Sequence, residues 1–109
     1  MIRTIEEQCA IIAQIMRYVG IYTRQHPAKL ERCEMTEWHI SAAIFAMCKL
    51  GVTYMSLANA LNLTFAQISR HMSIARDQID RCIFFETAVQ CYCNAAVESL
   101  QSLQTKQPA

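Results

Sequence analysis

The stretch M-S-L-A-N-A-L-N-L-T-F-A-Q-I-S-R-H-M-S-I-A-R, residues 55–76, restricts the fold more than any other part of the chain. Asn62 stands between two runs of helical apolar spacing, where a tight turn needs a left-handed backbone. Glycine is the usual choice there. Asn is the next best tolerated, because its short polar side chain makes that conformation less costly. Thr64 follows, with Gln67 three residues on, the spacing of a capping box in which each side chain satisfies an orphaned backbone N–H. The pattern predicts a short helix over 56–61, a turn at Asn62, and a second helix opened by Thr64 and running to Arg76. Ala58, Leu61, Leu63, Ile68, Met72 and Ala75 fall on the inward side. Phe65, Ala66, Ser69, Arg70 and Ser73 fall on the outward side of the second helix.

The run L-A-x-x-L-x-L-T-x-A-x-I-S-R-H-M in this stretch resembles the helix-turn-helix of bacterial DNA-binding repressors. It is similar to that of the arsenic-sensing repressor family and, more loosely, of the lactose-repressor family. The likeness is carried by a small residue at Ala58, a turn residue at Asn62, a β-branched core residue at Ile68 and the S-R pair Ser69–Arg70, over about a fifth of the chain. The resemblance implies a recognition helix, 65–76, in the major groove of double-stranded DNA. Phe65 and Ala66 would then meet thymine methyl groups and Arg70 would hydrogen-bond guanine O6 and N7, with Ser69 and Gln67 as weaker readers and Ser73 on the same face. Thr53, Ser56, Thr64 and Arg76 would set the register on the phosphates. Thr53 and Ser56 stand near the start of the first helix, where free N–H groups can hold an anion. His71 either touches a phosphate or is half-buried at the core edge. The plain alternative for each hydroxyl residue is an ordinary cap or a solvated side chain.

Past Arg76 the chain departs from the arsenic-repressor pattern. A β-hairpin wing would bring glycines, yet residues 77–104 contain neither Gly nor Pro. Instead Ile79, Cys82, Phe85, Val89, Tyr92, Ala96, Leu100 and Leu103 step at helical spacing. Metal sensing is therefore not carried over, and the arrangement looks more like the tryptophan repressor or the DNA-binding domain of the bacterial replication initiator. Phe84 and Phe85 cannot face the same way, so one of them is free to meet a partner.

Upstream, residues 3–25 predict a helix whose seam is Ile5, Cys9, Ile12, Met16 and Val19, widened by Ile11, Ile15, Tyr18 and Tyr22. It stops before Pro27, which disfavours the helical region for His26. Thr36 reads as an N-cap for a helix over 37–50 that ends at Gly51, with Ile40, Ala43, Ile44, Met47 and Leu50 inward and Trp38 as a core or interface anchor. The fold class is all-α: one domain, 1–109, with a tri-helical helix-turn-helix core (36–76) between long N-terminal (1–26) and C-terminal (77–104) helices.

Composition adds the partners. Apolar residues make up 53% and charged residues only 17%, so one subunit has apolar surface to spare and a homodimer through the N- or C-terminal helices is expected. The net charge of +1 decides nothing. Its distribution does, because no Asp or Glu lies between Glu37 and Asp77 while Lys49, Arg70 and Arg76 do, a locally basic segment. The six cysteines include no C-x-x-C pair, and most sit on apolar helical positions, which points to buried thiols in a reduced, cytoplasmic protein. Cys33, near the interhelix loop, is the one considered for redox sensing. Glu6, Glu7 and Arg17 break any signal-like apolar run, and no apolar stretch is long enough to span a membrane. The three histidines are scattered, and no phosphate loop or nucleophile motif occurs, so neither a catalytic residue nor a metal or cofactor is expected. The reading is a sequence-specific DNA-binding transcriptional regulator. Its alternative is a helical adaptor or inhibitor that keeps the same fold without binding DNA.

Overall fold

The computed structural model describes residues 3–25 and 35–105, all helix and connecting turn with no strand among them. Residues 26–34, with Cys33, lie outside the described residues, as do the side chains of Tyr22, Thr36 and Leu103. Five helices follow in order: α1 (Ile5–Gln25), α2 (Met35–Lys49), α3 (Tyr54–Leu61), α4 (Phe65–Ile79) and α5 (Ile83–Thr105).

Helix α1 opens with a reciprocal cap of the same T-x-x-E/Q form as Thr64 and Gln67. The Thr4 N–H donates to Glu7 Oε1 at 3.0 Å and the Glu7 N–H donates to Thr4 Oγ1 at 3.1 Å. Hydrogen bonding to the carboxylate from Thr4, its backbone N–H first and its side chain second, holds the Glu7 carboxyl below its usual range. The inward face of α1 differs from the expected seam. Ile11, Ile12 and Ile15 are buried together with Gln8, whereas Cys9 and Ile5 are exposed. The wider stripe through Ile11, Ile15 and Tyr18 is the true core face, because α5 lies along it and Tyr18 meets Tyr92 edge to face at 5.9 Å. The buried-thiol expectation accordingly fails at Cys9.

Helix α2 lies at the centre, packed against α1, α4 and α5. Burial takes in His39, Ser41, Ala42, Ala43, Ile44, Ala46 and Met47, far more than one stripe, while Ile40 and Leu50 are only half-buried. The small residues Ser41, Ala42, Ala43 and Ala46 leave room for three neighbours around one helix. Trp38 anchors the start, edge to face with Phe85 at 5.2 Å. The helix begins two residues before the expected position and ends at Lys49, where Gly51 supplies the left-handed turn with φ 96°.

Asn62 is also left-handed (φ 55°, ψ 47°), and its N–H closes α3 on the Ala58 carbonyl. The Leu63 N–H reaches the same carbonyl at 3.2 Å. Leu57, not Ala58 or Leu61, is the fully buried residue of α3; Ala58, Leu61 and Leu63 are half-buried at the core margin. Helix α4 buries Ile68, Met72 and Ala75 as expected and continues three residues beyond Arg76, to Ile79. A turn at residues 80–82 then separates it from α5, so the C-terminal helix starts at Ile83 and not at 77. Nothing in the composition marks this break. Ile79 and Cys82 keep helical spacing across it, and the Gln78 carbonyl accepts from both the Arg81 and Cys82 N–H groups. Phe85 is buried and Phe84 is 75% exposed, so the two rings do diverge.

Candidate nucleic-acid interface

The residues read as DNA contacts gather along the outer side of α4 and the starts of α3 and α4. Thr64 caps α4. Its Oγ1 accepts from the Gln67 N–H at 3.1 Å, and Gln67 Oε1 accepts from the Thr64 N–H at 2.8 Å. Gln67 is therefore occupied by the cap. Ala66, Ser69, Arg70, Ser73 and Arg76 are all exposed, and their successive steps of three, one, three and three residues form a single helical stripe. Phe65 is exposed as well, its ring edge to face with Tyr54 at 6.3 Å, and Met55 stands exposed beside Tyr54 in the chain.

Thr53 caps α3, accepting from the Ser56 N–H at 3.2 Å, with Thr53 Oγ1 and Ser56 Oγ 3.1 Å apart. The Thr53 N–H donates to Gln8 Oε1 at 3.0 Å. The N–H groups of Thr53 and Ser56 are thus satisfied within the chain, and the Thr53 hydroxyl also lies 3.3 Å from Gln8 Oε1. Gln8 is buried and also donates through Nε2 to the Arg3 carbonyl, while Arg3 Nε donates to the Leu50 carbonyl, both at 3.0 Å. These bonds fix the α2–α3 corner to the first turn of α1.

Arg70 is engaged by an acid. Its Nη2 lies 2.9 Å from Oε1 of Glu37, in the first turn of α2. The sequence gives little sign of this pairing across 33 positions, except that Glu37 is the last acid before the basic interval. Further along the same two helices, Ser41 Oγ and His71 Nδ1 are 2.9 Å apart. His71 is half-buried. Loss of solvent pushes its pKa below the ordinary 6.5, the Glu37 charge pulls it upward, and the Arg70 charge adds to the lowering. Ser41 and His71 have the contact of a nucleophile and its base, yet Ser41 is fully buried and cannot meet a substrate.

Other chemistry is sparse among the described residues. No group of three or more His, Cys, Asp or Glu side chains could hold a metal ion. Burial, the leading cause, pushes the Cys48 and Cys93 thiols upward against opposing pulls from Arg76 and Lys49 respectively, which disfavours the reactive thiolate. His39 and Tyr92 form a buried pair, Nδ1 to hydroxyl at 3.0 Å, inside the core. A hollow of about 330 Å³ is lined by Arg3, Cys48, Lys49, Leu50 and Gly51, and Arg3 is already turned onto the Leu50 carbonyl. No helix is long and apolar enough to cross a membrane among the described residues. The chain matches no family model, no curated protein and no solved structure.

Proposed function

We propose that this chain is a sequence-specific, double-stranded-DNA-binding transcriptional regulator. In this reading α3, the Asn62 turn and α4 act as a helix-turn-helix, completed by α2 into a tri-helical core, and the protein works as a cytoplasmic homodimer without catalysis. The observation that carries it is the outer stripe of α4. Ala66, Ser69, Arg70, Ser73 and Arg76 project from a capped helix whose opposite side is anchored by buried Ile68, Met72 and Ala75. A helix so held presents a short, uncharged-to-basic edge of the kind the major groove admits. Arg70 is the base reader, Phe65 and Ala66 meet thymine methyl groups, and Arg76 with the hydroxyls of Thr53, Ser56 and Thr64 steadies the backbone.

The test is selection from a pool of random duplexes, followed by affinity measurement across salt and light scattering of the same sample. The reading expects retained duplexes with two half-sites about 34 Å apart, a dimeric mass, and affinity that falls steeply as salt rises. Retention of no sequence, or binding indifferent to salt, overturns it.

Two observations favour a second reading as a protein-binding adaptor. Glu37 neutralises the central cation of the stripe, and Phe65 and Met55 put apolar surface beside it. An adaptor would ignore duplexes at every salt concentration in the same experiment.

A further inference from the structure

We infer that two copies of this chain pair through the outer face of α1, the helices antiparallel about a two-fold axis at Ala13. The inference rests on the dimeric part of the reading above and is independent of what α4 binds.

Helix α1 turns Ile11, Ile12 and Ile15 to the core and leaves Glu6, Cys9, Ala13 and Arg17 exposed on the opposite side, with Ile5 70% and Ile21 39% exposed at its two ends. A helix that faces only water carries charged and polar side chains along that side. Here the charges are Glu6 and Arg17, one on each side of Ala13, and neither has an ion-pair partner among the described residues. Glu7, the remaining charged residue between Ile5 and Ile21, is turned to Thr4 and Arg3. Between and beyond the two charges stand Cys9, Ala13 and the two isoleucines.

A second copy laid antiparallel complements this face in both charge and apolar surface. With the two-fold at Ala13, Ile5 and the partner's Ile21 each lie eight residues from the axis, so they meet at one level and leave water together. Glu6 and the partner's Arg17 lie seven and four residues from it. That is a difference of about 4.5 Å along the helices, which the length of an arginine side chain spans. The contact occurs twice, once on each side of the axis. At the axis Ala13 faces the partner's Ala13, and two methyl groups let the helices approach closely. A parallel pairing would set Glu6 against Glu6 and Arg17 against Arg17, so charge opposes it where it favours the antiparallel one. Exposed ion pairs contribute little affinity. Here they fix direction and register, and the apolar contacts hold the two copies together.

The test combines sedimentation of the full chain over a range of concentrations with disulfide cross-linking. One exposed pair shifts an equilibrium by up to about fivefold and the symmetry makes two, so Glu6→Arg or Arg17→Glu alone weakens the dimer by roughly two- to 25-fold. Carrying both changes in one chain restores the dimer, and so does mixing the two single variants, which a merely structural loss would not allow. On a Cys9→Ser, Cys33→Ser background, Ala13→Cys cross-links to itself under mild oxidation. Cys9 lies about 12 Å from its counterpart along the helices, too far to bridge, and forms no disulfide in Cys33→Ser protein. The substituted α1 sites are exposed, so every variant keeps its helix signal, and the cross-link depends on neither charge. A Cys9 disulfide, reversals that leave the dimer unchanged, single variants that stay apart when mixed, or an Ala13→Cys chain that does not cross-link overturns the inference and leaves a dimeric regulator standing. A wild type that is monomeric at every concentration overturns the inference and the dimeric part of the reading alike, and duplex selection remains the separate test of DNA binding.

Discussion

His71 brings the polar contacts of α4 and the stability of the core onto one side chain. Its pKa is lowered in the folded chain, so the unfolded chain takes up the proton more readily. The stability this represents is intact above about pH 6.5 and is lost as the pH falls through that value towards the lower, folded one. Urea midpoints for wild type should therefore drop between pH 7.5 and pH 5.5 by more than those of His71→Gln, and equal drops would show that the proton goes elsewhere. Arg70 carries the functional prediction at this scale. Arg70→Ala should cost about 1–3 kcal/mol at a cognate duplex and relax preference at one base position per half-site. A selection logo unchanged by the substitution would mean that α4 does not read bases. In the core, Tyr92→Phe removes the hydroxyl 3.0 Å from His39 Nδ1 and should lower stability by about 1–3 kcal/mol in denaturant melts.

At the scale of elements, the turn between α3 and α4 is fixed by two residues with separable effects. Asn62→Ala places a Cβ branch without a polar tip in the left-handed region, at a cost of about 1–2 kcal/mol. Thr64→Ala removes one half of the capping box and should cost about 1 kcal/mol. Thermal melts of the two variants, and of Asn62→Gly as the permissive control, check both figures. These local features were legible in the sequence because they depend on neighbours one to four positions away: the Asn62 turn, the Thr64–Gln67 box and the inward Ile68, Met72 and Ala75. The Thr4–Glu7 box obeys the same spacing rule and could have been read the same way. What could not be read depends on which helix lies against which. The seam through Cys9 and the stripe through Ile11 and Ile15 have equal periodicity, and only the position of α5 selects the second. The break at 80–82 is silent because Ile79 and Cys82 stay in helical phase across it. Glu37 and Arg70 meet only because α2 packs on α4, a tertiary fact with no local signature.

In the whole molecule, α2 is the shared neighbour of α1, α4 and α5, so no helix pair forms an independent core. Ile44→Ala, deep on α2, should cost about 2–5 kcal/mol and shift the loss of helix signal and of Trp38 fluorescence together. Separated transitions would contradict a single cooperative unit. Gln8 reaches across this arrangement to the Thr53 N–H, a backbone amide far along the chain that is sealed by a side chain from the first turn of α1. Deuterium uptake at that one amide is therefore a clock for the first turn of α1. Loosening of the first turn of α1 will speed the clock, and will slacken the α2–α3 corner before it disturbs α4.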